Sequence, residues 1–130
     1  DIALCCLDGN TLLYAGAHNP LWIIRDGAEE IEEIKANKQP IGKFSDPQPY
    51  TTHSITLNKG DTIYLFSDGY ADQFGGENGK KLKAGAMKNL LLSIQDRAME
   101  DQGKFLGESF AQWKGVLDQI DDVCVIGVRV

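Results

Sequence analysis

The stretch TIYLFS at residues 62–67 constrains the fold more than any other. It is a nearly continuous apolar run of strand length, preceded by the turn sequence NKGD and stopped by Ser-Asp-Gly. A strand apolar on both faces is expected to be central and covered on both sides, which calls for a layered structure. The run ends on an acid, Asp68, with Asp72 and the paired glycines 75–76 just beyond. A second acidic edge lies near the other end of the chain, where Asp121 and Asp122 directly precede VCVIGVRV at 123–130. If strands 61–66 and 123–128 are antiparallel neighbours, the end of one meets the start of the other. Adjacent strands lie about 4.8 Å apart, so these carboxylates can converge.

The elements around this pair fit an α+β plan. IALCCL (2–7) and TLLYAGA (11–17) are strands joined by the hairpin signal DGN, and PLWIIRDG (20–27) reads as a third strand. EEIEEIKA (29–36) reads as strand, although its acids favour helix. Residues 37–50 hold three of the four prolines and form a loop. TTHSITL (51–57) alternates and is β-branched, as a half-buried strand does. After the glycine-rich loop the period changes. AGAMKNLLLSIQ (84–95) carries Met87, Leu90, Leu91 and Ile94 on one stripe. MEDQGKFLGESFAQWKGVL (99–117) carries Phe105, Leu106, Phe110, Trp113 and Leu117 on another, and both are expected to be helices. No repeat or low-complexity segment interrupts the pattern.

Composition excludes several functions. A net charge of −6 gives no footing for general binding to nucleic acid or to anionic lipid. No apolar run is long enough to cross a membrane, and the opening DIALCCLDGN has no basic leader. That opening reads as a chain cut from a longer protein. The three cysteines, Cys5, Cys6 and Cys124, form no CxxC spacing. They read as small apolar residues kept reduced in the cytoplasm.

Converging carboxylates repel, so one takes up a proton or a cation fills the gap. Hard oxygen ligands suit Mg²⁺ or Mn²⁺, and a pair of such ions can activate water and clamp a phosphoryl group. On spacing alone a plainer reading stays open: Asp-Gly is a common turn pair, and Asp121 and Asp122 can simply solvate a strand start. An EF-hand is excluded, because the sixth position counted from Asp68 is Gln73, where the calcium loop needs glycine. His18 is expected as a turn or packing residue rather than a general acid or base, and His53 on a strand surface. Trp22 and Trp113 are expected to pack in the core or between sheet and helix.

The segments LLYAGAHNPLWIIRDG, KQPIG, KGDTIYLFSDGYADQFGG and DDVCVIGVRV occur in this order along essentially the whole chain. The ordered set resembles the bacterial serine/threonine phosphatases of the metal-dependent type 2C (PPM) family, in the SpoIIE/RsbU branch. The resemblance implies a sandwich of two antiparallel sheets flanked by helices, with a two-metal centre of Mg²⁺ or Mn²⁺ at one edge. It implies hydrolysis of phosphoserine or phosphothreonine by a metal-activated water without a phosphoenzyme. Asp68 and Asp121 match metal-binding aspartates, Asp122 matches the acid or amide beside the second, and Asp72 matches an acid that supports a further, weaker metal. His18 and Asn19 match a GHNP-like segment read as structural, with Ala17 where glycine is usual. The family's early D-x-x-G-H-G motif has no counterpart ahead of LLYAGAHNP.

Residues 1–130 are therefore expected to be the C-terminal portion of a single phosphatase domain, inactive alone, with open strand edges that favour self-association. The implied partners are a phosphorylated regulator, such as an anti-sigma-factor antagonist, and an upstream sensor or regulatory domain. Two other readings compete. One is a phosphatase-like module that binds partners without catalysis. The other is a small sensory domain of PAS type, which leaves the acids at two strand ends unexplained.

Overall fold

In the computed structural model, which describes residues 1–130, the first hairpin follows from its turn. Strands β1 (Ile2–Asp8) and β2 (Thr11–Ala17) pair antiparallel from Asp8 opposite Thr11 to Ile2 opposite Ala17. Gly9 takes φ +60° between them, a conformation glycine adopts without strain. The alternation in β2 sets the faces: Leu12 and Tyr14 are buried and Leu13 is exposed. Cys5 is half-buried and Cys6 exposed, as opposite faces require. Strand β5 (His53–Thr56) pairs with the other side of β2, giving a sheet of order β1-β2-β5 once β3 (Leu21–Ile24) and β4 (Glu32–Ile34) have left for a second sheet.

That second sheet has the order β4-β3-β6-β9, with β6 spanning Thr62–Phe66 and β9 spanning Val125–Arg129. All four residues of β3 are buried, as are Thr62, Ile63 and Tyr64 of β6. Leu12 and Tyr14 of the first sheet meet Leu21, Ile23 and Ile63 of the second, with Leu57, in one hydrophobic cluster. Two antiparallel sheets thus pack face to face, which establishes the α+β class with a sandwich core. Burying side chains of this size stabilises the fold by about 1.5–3 kcal/mol each. The strand read over 29–36 is short, because only residues 32–34 reach β3.

The chain divides into two compact units: residues 1–66 with 128–130, and residues 67–127. The first unit is closed by a polar knot. Asp61, 2% exposed, accepts hydrogen bonds from Arg25 Nη1 (2.9 Å) and from the backbone N–H groups of Asp26 (2.9 Å) and Asn58 (2.8 Å). The outer face of its first sheet carries exposed Ile2, Leu4 and Leu13.

The second unit opens with a single helical turn, α1 (Gly69–Asp72), and a small hairpin of β7 (Phe74–Gly75) and β8 (Lys80–Lys81). Sequence patterning had put only a loop there. Helices α2 (Ala84–Ser93) and α3 (Met99–Lys114) follow, α3 ending at Gly115 with φ +55°. Met87, Leu91 and Ile94 are buried as the stripe predicts. On α3 the buried residues are Leu106 and, unexpectedly, Gln102, whose amide donates to the Ile94 carbonyl at 3.0 Å and so satisfies the end of α2. Leu117 lies beyond α3 and is exposed.

Candidate metal centre

The antiparallel register of β6 and β9 can be read at both ends. Val130 donates to the Asp61 carbonyl at 3.0 Å, and Ser67 donates to the Cys124 carbonyl at 3.0 Å. Residue 67 therefore lies beside residue 124, as the strand pairing read from sequence requires. The acids just beyond Ser67 and just before Cys124 are brought together by this register.

Three contacts fix the approach. Ser67 Oγ donates to the Asp122 carbonyl and accepts from the Cys124 N–H, both at 3.0 Å. Gly69 packs directly against the backbone of Asp122: a Cβ at this position would lie 2.9 Å from the Asp122 carbonyl carbon and closer still to its oxygen. As the glycine of an Asp-Gly turn pair, Gly69 would be expected to take a left-handed turn conformation. It has helical rather than left-handed backbone, and what requires glycine is this close approach. Asp72 N–H closes the turn on the Asp68 carbonyl at 2.9 Å.

The carboxyl groups of Asp68 and Asp121 come within hydrogen-bonding reach of one another. Asp68 and Asp121 are exposed residues, yet partial desolvation first, then the neighbouring Asp121 and Asp72 carboxylates, push the Asp68 carboxyl above its ordinary value. Asp121 is held in turn by Asp122 N–H, which donates to its Oδ1 at 2.9 Å, and by Gln119 Nε2, which donates to its carbonyl at 2.8 Å. Asp122 contributes through its main chain, and its side chain is exposed. Asp72 points elsewhere, with Oδ1 3.7 Å from Lys81 Nζ. Of the four acids singled out in the sequence, then, Asp68 and Asp121 meet, while Asp72 and Asp122 flank them. No three acidic, His or Cys side chains share one metal-holding cluster. The meeting pair nevertheless suits a hard divalent cation, because neighbouring carboxyl groups offer oxygen ligands and their mutual repulsion is relieved by a positive charge.

The frame behind this edge is polar and buried. Gln73, fully buried, donates through Nε2 to the carbonyls of Phe74 and Asp118, both at 2.9 Å. The main-chain carbonyl of Gln73 accepts from Trp113 Nε1 at 2.9 Å, and Trp113 packs on Gly75 and Gly76, where a Cβ would meet the indole at 2.7 Å. Tyr70 donates to the Leu106 carbonyl at 2.8 Å. Ser67, Gln73 and Trp113 are site-building residues that sequence reasoning did not assign. The only available signal was the serine in Ser-Asp-Gly.

His18 lies outside this unit. It is exposed, with φ +64°, and forms an isolated bridge to Ile2 rather than a turn; its N–H is bonded to the Asn37 carbonyl at 3.0 Å. Asn19 accepts the Tyr14 hydroxyl at 2.6 Å through its carbonyl, a packing role consistent with a structural segment. His53 is half-buried and stacks on Tyr14.

Among solved structures, the chain is similar to the SiaA PP2C domain of Pseudomonas aeruginosa, with TM-score 0.84 and 29% identity over 93% of this chain and 47% of that one. It is also similar in fold to the phosphatase domain of SpoIIE from Bacillus subtilis (TM-score 0.67, 21% identity, 99% of this chain and 56% of that one). The serine/threonine phosphatase PstP of Mycobacterium tuberculosis matches with TM-score 0.63 and 17% identity over 96% of this chain and 57% of that one. The chain thus spans about half the length of these structures, and its fold is that of a PP2C-type phosphatase domain, in part. No curated protein sequence matches it significantly. The family model for Stage II sporulation protein E (SpoIIE) matches residues 1–130, and the chain belongs to that family.

Proposed function

We propose that this chain is the C-terminal portion of a metal-dependent phosphoserine/phosphothreonine protein phosphatase domain, with Asp68 and Asp121 as its contribution to a Mn²⁺ or Mg²⁺ centre. The observation that carries this reading is the convergence of those two carboxyl groups at the β6–β9 edge. Divalent cations bound there supply a water of lowered pKa and a clamp for phosphoryl oxygens. The chain's own residues act as holders: Asp68 and Asp121 offer the oxygens, Asp122 N–H orients Asp121, and Ser67 and Gly69 set the spacing. Asp122 and Asp72 border the centre. Two carboxylates make a water-rich site, so the 130 residues alone are inactive and the rest of the domain completes the metal shell. A phosphorylated regulator, such as an anti-sigma-factor antagonist, is the substrate that the family suggests, with a regulatory domain upstream and a cytoplasmic setting. No helix of the chain is long and apolar enough to cross a membrane.

The test is Mn²⁺-dependent phosphate release from a phosphoserine peptide, comparing this chain with one extended upstream by its natural sequence. Activity confined to the extended chain and abolished by Asp68→Asn is the expected result. Activity of the short chain overturns the account of the shared shell. Inactivity of both, with a phosphorylated protein substrate also refused, favours a non-catalytic interaction module.

A further inference from the structure

The β7–β8 hairpin brings a cation to the acidic edge. Lys81 stands opposite Phe74 in the hairpin register. Its strand is tied to the Asp72 segment on both sides: Leu82 N–H donates to the Gln73 carbonyl at 3.1 Å, and Lys83 N–H donates to the Ala71 carbonyl at 2.7 Å. Lys81 Nζ lies 3.7 Å from Asp72 Oδ1 and 5.8 Å from the Phe74 ring centroid, where the ring face favours a cation. Both partners of the ion pair are partly solvated, at 46% and 40% side-chain exposure, so the pair adds little to fold stability. Its consequence is local: the outermost of three neighbouring carboxylates already has a positive charge fixed beside it by the backbone.

We infer that Lys81 is a tethered cation that occupies the position beside Asp72 which a divalent ion would otherwise take, confining metal to the Asp68–Asp121 pair. The inference rests on the metal reading of that pair. An ammonium and a hydrated divalent cation compete for the same carboxylate oxygens, and the ammonium is covalently held at high local concentration. Lys80, the preceding residue of β8, faces the opposite side of the two-residue strand and carries the same charge. It serves as a control for net charge.

The test is a Mn²⁺ titration of the full-length protein, counting free Mn²⁺ by electron paramagnetic resonance at fixed ionic strength. Lys81→Met should add a further Mn²⁺ equivalent or tighten the weakest class by up to about thirtyfold, the effect of removing one unit charge about 4 Å from a divalent ion in water. Lys81→Arg and Lys80→Met should titrate as the unaltered protein does, and Asp72→Asn in the Lys81→Met background should erase the gain. Asp68→Asn should remove the stronger class in every background. If Lys81→Met matches the unaltered protein, or Lys80→Met matches Lys81→Met, while Asp68→Asn still removes the stronger class, the inference is overturned and the metal reading stands. If Asp68→Asn changes nothing, both fall.

Discussion

Replacing Gly69 by alanine separates two roles of this glycine by the sign of the effect. Gly69 sits in α1 with helical backbone. If flexibility were its purpose, alanine would stabilise the protein by about 1 kcal/mol, the usual difference in helix propensity. The structure gives the opposite sign. The new Cβ would lie 2.9 Å from the Asp122 carbonyl carbon and closer still to its oxygen, so relieving even the carbon contact to about 3.5 Å requires the two segments to part by at least roughly 0.6 Å. The Ser67–Asp122, Ser67–Cys124 and Cys124–Ser67 hydrogen bonds, each 3.0 Å, would then stretch to about 3.6 Å and be largely lost. Three bonds at about 1 kcal/mol each, less the helix gain, leave a net loss of about 2 kcal/mol. That corresponds to a fall of roughly 6–10 °C in Tm for a chain of this size. Urea and thermal unfolding of Gly69→Ala in the absence of metal measure this directly. A Tm equal to or above that of the unaltered chain refutes the close-approach argument. A lowered Tm should come with weaker Mn²⁺ binding, because the same displacement parts Asp68 from Asp121.

Other perturbations probe the frame and the charges. Asp61→Asn should destabilise the chain by about 2–4 kcal/mol near neutral pH, because it weakens three hydrogen bonds to a buried carboxylate. Burial works to raise the Asp61 pKa, but the bonds from Asn58, Asp26 and Arg25 outweigh it and lower it. The contribution is therefore full above the ordinary carboxylate range and lost as pH falls through the folded value; a cost that does not shrink in acid melts contradicts the assignment. Asp68 is the reverse case. Its raised pKa means that ionisation costs stability as pH rises, so Asp68→Asn in chelator should melt above the unaltered chain at neutral pH and level with it near pH 3. A lower melting point for Asp68→Asn at neutral pH contradicts the crowding of carboxylates. Exposed Ile2, Leu4 and Leu13 should make the chain on its own self-associate, and Leu4→Glu should shift it toward monomer in light scattering. A clean monomer for the unaltered chain contradicts this.

Much of the fold was legible because its strands carry the period-2 signal and its helices the period-3.6 signal. TLLYAGA alternates as β2 does, and the apolar run at 62–67 became β6, buried at its first three positions. The β7–β8 hairpin and α1 escaped because elements of two to four residues are too short to carry a period. The hairpin left one trace, Asn78-Gly79, with Gly79 at φ +58°. Gln73 and Asp61 were illegible for another reason. Their roles depend on partners 45 and 36 residues away, Asp118 and Arg25, and nothing local distinguishes a buried amide or acid from a solvated one. Of the four acids, sequence spacing gave the meeting of Asp68 with Asp121 through strand register, whereas the turn of Asp72 toward Lys81 depends on the hairpin it could not reveal.

The placement of the two acids also explains why they lie at strand ends rather than within strands. Inside the sheet, residues 67 and 124 exchange a backbone hydrogen bond, and a side chain there is fixed by the pleat to one face. One residue past the end, the side chain leaves the sheet but the ladder still holds its backbone. Asp68 and Asp121 are each one to three residues beyond that last bond, with Ser67 Oγ bridging the gap and Gly69 closing it. The sheet thus supplies rigidity, while the end of the sheet supplies the freedom for two like charges to face the same point. Holding them there raises the free energy of the ionised pair, and a divalent cation relieves it, so the same repulsion that disfavours Asp68 ionisation in the cation-free fold is a source of cation affinity.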